Sequence, residues 1–438
     1  MTETLEPDFR RVHPLSPFLR VGIFVVAGVV ATWQQVVREE LQPIRLLLTV
    51  LVVVVAGLVY GFLAWWFTRY RIDAEELRID SGAVMRRSRR ISIERLQSVD
   101  VVQPLVARLF GMAELRFEVA GGSRTEAPLA YLRLEEAHRL RGVLLDREVV
   151  QATDEPPAAE VTEAWRPEHE IARVDPTWLV GGTVLSTEFV VSVLVALLAM
   201  IATVSFREAA ALALVLPAVL GAGSVLFRGV VNQWGFVLSD TGRGWRLRQG
   251  LFDLRSQTVP LDRVQGIALV EPVLWRRLGW VKVQVDVAGY SGSSSQGKVS
   301  TSTLLPVAPR PLALAVVARL LPGGSVTQVV QRPVPRAARL FRPVGWRYLG
   351  VGADQNVVVT TLGWVQRRTD IVPHRKTQSI RVRQGPLQRR LGLVDVRFQT
   401  TPGPVDAVAR HRPVAELPEW VTDQLERAAR ARRPAERG

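Results

Sequence analysis

Twice along this chain the charged residues drop out for long enough to cross a bilayer. Each time, short runs follow in which apolar and charged positions alternate. Residues 46–67 carry no charge. At 1.5 Å of rise per residue such a helix reaches about 33 Å, against a hydrocarbon core of roughly 30 Å. Trp65 and Trp66 stand at its end, where indole rings favour the interface. Residues 21–37, between Arg20 and Arg38, form a shorter charge-free run that carries Gln34 and Gln35 and predicts the first arm of a hairpin. A second pair follows at 189–206 and 209–227, with only Arg207 and Glu208 between them. Its first arm begins as early as Trp178 if Glu188 sits at headgroup level, and Pro217 is expected to kink its second arm.

Between and after these hairpins the apolar period shortens to two. LRIDSGAVMRRSRRISI (77–93), WRLRQGLFDLRSQTVPL (245–261) and VVVTTLGWVQRRTDIVP (357–373) each read as two strands around a glycine. They are one unit written three times. Gly82, Gly250 and Gly363 align; ten residues on stand Ser92, Pro260 and Pro373; five further come Gln97, Gln265 and Gln378; fourteen beyond those come Gly111, Gly279 and Gly392. Fixed spacing over about thirty residues marks an internal repeat, and it must be recognised before any other assignment. The glycines mark turns that need positive φ, and the glutamines are expected to hydrogen-bond a turn in the same position of each copy. A further alternating strand follows in each copy: AELRFEVA (113–120), VKVQVDVA (281–288) and VDVRFQTT (394–401). Helical stretches close the copies at 133–145, 310–321 and 418–433.

The expected architecture is a multi-domain membrane protein: two transmembrane helix hairpins (four helices) and three small antiparallel β-barrel or sandwich domains, each closed by a C-terminal helix. The boundaries are an N-terminal segment 1–20, hairpin 21–67, repeat 68–146, linker 147–176, hairpin 177–228, repeat 229–322, linker 323–347 and repeat 348–433. The first linker is acidic around Pro156-Pro157 and is expected to be disordered. The second stands where a third hairpin would fall; it holds Arg332, Arg336, Arg339, Arg342 and Arg347 and no acid.

The phrase running from the glycine through P-x-x-R/K-x-Q-S to R-R-L-G resembles the bacterial pleckstrin-homology-like (PH-like) domain of membrane-bound type. The whole chain is similar in organisation to YdbT-type membrane proteins, in which helix hairpins alternate with such domains. The matching residues include Gln97, Ser98 and Arg108 in copy one, Arg263, Arg276 and Leu278 in copy two, and Lys376, Ser379, Arg390 and Leu391 in copy three. Copy one departs from the phrase at Ser92 and Phe110, copy two at Gly266, and copy three lacks a preceding hairpin. The resemblance implies a PH-like fold and a smaller membrane partner with one hairpin and one such domain.

Charge changes this picture in one respect. The net charge is +15, nearly all of it arginine, and arginines flank the apolar pairs on one side: Arg10, Arg11, Arg20, Arg69, Arg71, Arg166, Arg173 and Arg228. The positive-inside rule then predicts cytoplasmic termini and cytoplasmic repeats beneath the plasma membrane of a bacterial cell. The twin arginines before the first apolar run also fit an export signal, or a cleaved signal ending near Ala31, but the second full span argues against both. Arg86, Arg87, Arg89 and Arg90 of copy one, and Arg336, Arg339 and Arg342 of the basic linker, are the candidate contacts to anionic lipid.

Chemistry is sparse. With no cysteine there is no thiolate nucleophile or disulfide. The histidines (His13, His138, His169, His374, His411) show no metal-ligand spacing. Gly292-x4-Gly297-Lys298 lacks the Ser or Thr and the helix that a phosphate loop needs. Glu188 is the one acid that falls inside a span if the third helix begins at Trp178, where an intramembrane carboxylate would be a functional candidate; its interfacial placement is the expectation. No catalytic residue, cofactor, metal, nucleic acid or small-molecule substrate is expected. The expected role is a non-enzymatic membrane scaffold whose partners are the bilayer and either a smaller PH-like subunit or a second copy, with lipid-headgroup binding or lipid handling as the alternative.

Overall fold

The computed structural model describes residues 69–72, 76–81, 87–92, 96–119, 126–141 (without 138), 169–206, 219–288 (without 243), 303–321 and 329–432 (without 402), with residues 10–11 and scattered helical positions from 51 to 67. Gly82, Arg86, Pro217, the glycine-serine loop 292–298 and most of the expected first hairpin lie outside the described residues. The chain divides into two compact units: residues 1–164 with 252–257, and residues 165–251 with 258–438.

In the first unit, β1 (Arg10–Arg11), β2 (Arg69–Ile72), β3 (Glu76–Ser81) and β4 (Arg87–Ser92) form an antiparallel sheet in that order. β5 (Leu96–Gln103), β6 (Met112–Val119) and β7 (Glu126–Arg133) form a meander over a core that includes Leu115, Phe117 and Leu132. The outer edge of β5 is occupied by copy-two residues of this same unit: Leu254 faces Gln103, Arg255 faces Val102 and Ser256 faces Val101.

The second unit contains β8 (His169–Arg173), β9 (Val237–Asp240), β10 (Trp245–Gln249), the end of β11 (Leu254–Val259), β12 (Val264–Pro272), β13 (Trp280–Val287) and β14 (Thr303–Pro309). Copy three supplies β15 (Arg332–Pro333), β16 (Gly350–Ala353), β17 (Val357–Leu362), β18 (Gln366–Pro373), β19 (Ser379–Arg383), β20 (Leu393–Gln399) and β21 (Ala407–Pro413). Strands 12 to 18 make one seven-stranded sheet in the order β14-β13-β12-β18-β17-β16-β15, and β19-β20-β21 make a separate three-stranded one.

The several antiparallel sheets agree with the expected sandwich-like modules, but the copies are not closed independently. β18 of copy three pairs with β12 of copy two, and Val357, Val359 and Ile371 share a buried cluster with Val264, Ile267 and Val283. The register repeats that of the first unit. Ser256 stands six residues after Gly250 and faces Val101, four after Gln97; Thr369 stands six after Gly363 and faces Leu269, four after Gln265. Inside the second seam Asp370 is fully buried and takes both Arg368 Nε contacts at 2.9 and 3.0 Å.

The expected turn chemistry is present where it is described. Gly250 and Gly363 have φ of 114° and 93°, and Gly111, Gly279 and Gly392 lie between 63° and 68°. At Gly363 a Cβ would stand 2.0 Å from the Gln366 carbonyl oxygen, so only glycine closes that hairpin. Gln265 Nε2 donates to the Arg263 carbonyl at 3.1 Å, the side-chain bond expected of the repeated glutamine; at Gln378 it is the backbone N–H that donates, to the Gln399 carbonyl at 2.8 Å.

Two expectations need revision, and the transmembrane hairpins are met only in part. Among the described residues no single helix is long and apolar enough to cross a membrane; in the first arm of the second hairpin Pro176–Val184 and Thr187–Ala202 meet at a 46° bend and are long and apolar enough only as a pair. A shorter apolar helix runs Val219–Val231. The acidic linker is shorter than expected, since His169–Arg173 is a strand against β9 and Pro176 already begins a helix. From residue 329 on, the basic linker is folded. Val334, Ala338 and Leu349 form a small buried cluster, and Phe341 stacks on His411 with ring centres 4.7 Å apart.

Candidate functional site

A cavity lies in the second unit, where the second hairpin meets the copy-two module. Asp175 caps the first helix of the hairpin, its Oδ1 accepting from Thr177 N at 2.7 Å, with Pro176 in the first turn. That helix stops at Leu185; Ser186 Oγ then accepts from Phe189 N at 3.2 Å and starts the next one. The base of the hairpin is fastened to the module through small residues. Gly182 leaves no room for a Cβ against Val307, its carbonyl accepts from Trp275 Nε1 at 2.9 Å, and Gly229 packs against Thr183.

A cavity of about 790 Å³ opens at this joint. Its apolar lining includes Val191 and Val225, and its polar lining includes Glu188, Arg228, Lys282 and Gln284. Arg228 is held from its own helix, Nε donating to the Ser224 carbonyl and Nη2 to Ser224 Oγ, both at 3.2 Å. Burial pushes the Lys282 ammonium below the usual lysine range, and the Glu188 carboxylate pulls it back up. Among the described residues the Lys282 ammonium has neither a hydrogen bond nor an ion pair.

The repeat explains why this position is singular. The central hairpin of every copy carries the same one-residue bulge: Ala113 pairs with Leu132 but Leu115 with Leu129, Val281 with Ala308 but Val283 with Leu305, and Val394 with Arg412 but Val396 with Ala409. The single residues opposite the bulges are Glu114, Lys282 and Asp395. Glu114 accepts from Arg116 Nε at 3.0 Å. Asp395 Oδ1 accepts from His411 N at 2.7 Å and from Gln388 Nε2 at 3.0 Å, with His411 at φ 53°. In copy two the acid has become a lysine and Pro306, which has no N–H, stands in the bulge; both line the cavity.

The candidate lipid contacts separate. Arg87, Arg89 and Arg90 stand on β4, while Arg86 lies outside the described residues. Arg336 and Arg339 are exposed, in company with exposed Leu340 and Val344. Arg342 is half-buried beside Arg410, and burial pushes its guanidinium below the usual arginine range. Glu188 lines the cavity in the first turn of the second helix. His374 is buried between the Asp354 carbonyl and Gln424, as a packing residue would be. The described residues hold no cluster of metal-ligating side chains. Sequence reasoning missed Lys282. Its signal was the change of sign at one column of three aligned strands, AELRFEVA, VKVQVDVA and VDVRFQTT.

Three glycine-turned antiparallel modules, one of them seated on an apolar helix pair, define a repeat protein of PH-like units. Comparison with known families agrees. The bacterial PH domain family matches residues 21–148, 188–324 and 307–429, and the chain belongs to that family. The first two matches include the apolar pairs; the third takes in the basic segment instead. The chain is 27% identical over 279 residues to the transmembrane protein YdbT of Bacillus subtilis (strain 168), covering 56% of this chain and 55% of that one. It thus spans about half the length of this relative. No solved structure matches.

Proposed function

We propose that the chain is a non-enzymatic, multi-pass scaffold of the bacterial plasma membrane. Its PH-like modules join one another, and a smaller PH-like membrane partner or a second copy, at the cytoplasmic leaflet. One observation carries this reading: a hairpin strand of one copy extends the sheet of the copy before it, twice, in the same register. Main-chain strand addition of this kind supplies affinity without a catalytic group. The helix Thr187–Phe206 supports the membrane half of the proposal, because Val191, Leu194, Leu198 and Ile201 are exposed on a segment where lipid would cover them. The arginine-rich flanks support the cytoplasmic side. The test is the native mass and composition of the detergent-extracted protein at natural expression. Assemblies larger than one chain are expected, and a lone monomer would count heavily against the scaffold.

The cavity favours a second, compatible reading. A half-buried ammonium that makes no hydrogen bond or ion pair among the described residues, lining one cavity with Arg228 where an apolar helix enters the module, suits the phosphate of an anionic lipid headgroup. Lys282→Gln should cut the anionic phospholipid that the purified chain retains in native mass spectrometry by about ten-fold, a loss of roughly 1.4 kcal/mol. Titration with inorganic phosphate separates the headgroup from a free anion. Retention equal to wild type would remove the cavity from consideration.

A further inference from the structure

The acceptor strands of copies one and two are both occupied; among the described residues that of copy three is not. β5 takes residues 254–256 and β12 takes β18. The equivalent strand of copy three is β19, since Gln378 precedes it as Gln97 and Gln265 accompany the others. Among the described residues β19 pairs with β20 alone and forms the edge of its sheet. Ile380 packs against the core below, while Arg381, Val382 and Arg383 are exposed. An edge left with unpaired N–H and C=O groups is a template for another strand.

The shared register says what that strand must carry. At both occupied seams the residue six after the hairpin glycine faces the residue four after the acceptor glutamine. At the open edge the latter is Val382. The incoming residues on either side of its partner would then face Arg381 and Arg383. Like charges placed directly opposite destabilise a strand pair, and opposite charges stabilise it, by about 0.2–1 kcal/mol each.

Among the described residues, the hairpin strand of copy one fails as a donor on that ground. β4 is the edge of its sheet, but its register would set Arg89 against Arg381 and Arg87 against Arg383. The occupied seam shows the complementary case, where Arg367 faces Glu271.

We propose that β19 is the docking edge for a hairpin strand from the PH-like module of a different chain, with acidic residues at the two positions that face Arg381 and Arg383. The proposal rests on the scaffold reading, names its surface and the chemistry of its partner, and disfavours self-assembly through β4.

The full-length chain in detergent is the receptor, and two synthetic hairpins are the probes. One is residues 357–373 with Arg368→Glu, which presents Glu and the native Asp370 to the two arginines. The other is unaltered 77–93, which presents Arg87 and Arg89. The acidic probe should bind about ten-fold more tightly and slow amide exchange across 379–383. Arg381→Glu with Arg383→Glu, both at exposed positions, should reverse that preference. A preference unmoved by the double substitution, or no protection of 379–383, overturns the proposal. Native assemblies whose mass the double substitution leaves unchanged keep the scaffold and discard this edge. A monomer that still takes the acidic hairpin at 379–383 keeps the edge and discards the scaffold.

Discussion

Trp420→Ala should destabilise the copy-three module by about 3–5 kcal/mol, the range for removing a large buried aromatic side chain. Trp420 is 2% exposed and stands at the start of the closing helical segment, packed edge-on to Phe398 at 6.3 Å. Its Nε1 donates to Glu416 Oε2 at 3.0 Å, and that carboxylate also accepts from Arg412 Nη2 at 2.6 Å. The Arg332 guanidinium lies 5.8 Å from the ring centre. Alanine therefore leaves a cavity and removes one donor from a shared carboxylate. The helix Gln424–Arg432 follows directly, and Gln424 reaches the buried His374 ring at 2.5 Å. Amide exchange along 424–432 should accelerate together with the loss of stability. A midpoint of chemical unfolding within error of wild type would show that this segment does not close the module. Trp420→Phe, which keeps most of the apolar volume, should lie between the two.

That closing helix was legible in the sequence, as were the glycine turns. Gly250 and Gly363 needed no tertiary information, because a hairpin of that length demands positive φ wherever it sits. Gln265 was legible as a turn-binding side chain for the same local reason. Strand sharing was not. A strand alternates apolar and polar residues whichever neighbour it pairs with, so QRRTDIVP reads identically as the second strand of its own hairpin and as the extension of β12. The bend at Leu185 was likewise hidden, since Ser186 capping a new helix looks in sequence like one polar residue near an apolar run. The packing of the basic segment was hidden because its described core is only Val334 and Ala338 with Leu349 just beyond it, too few apolar residues to show a period. Lys282 was written in the alignment, but its meaning required the bulge. Only there does the column of Glu114, Lys282 and Asp395 become the one residue facing two, and only in copy two does its partner disappear.

Asp286→Asn should stabilise the second unit at neutral pH by roughly 2–3 kcal/mol and flatten its stability between about pH 4 and pH 6. Asp286 is 2% exposed near the end of β13, facing Gly266 across the ladder, and the copy-three loop closes over it. Thr400 Oγ1 donates to its Oδ2 at 3.4 Å, and a Cβ on Gly403 would fall 2.0 Å from Oδ1. Burial raises its pKa from the usual 3.8 to about 6, against a smaller lowering from the Thr400 bond. The folded state therefore holds this proton over a range where the unfolded chain has released it. The contribution is fully present below about pH 4 and is lost as the pH rises through about 6; above that the charge is a fixed cost. The buried histidines run the other way. Burial lowers the pKa of His374 and His411, so each destabilises the fold as the pH falls below the ordinary histidine value. A pH profile of the wild-type chain mixes these opposed slopes, whereas the difference between wild type and Asp286→Asn cancels the histidines and isolates the carboxyl. Copy three carries Gln399 at the corresponding position, where its Oε1 accepts from Ser379 Oγ at 2.8 Å, so an amide fits this place in the fold. If the difference profile were flat from pH 4 to pH 8, Asp286 would be titrating as an ordinary carboxylate, and the seam between copies two and three would be more open to water than its packing implies.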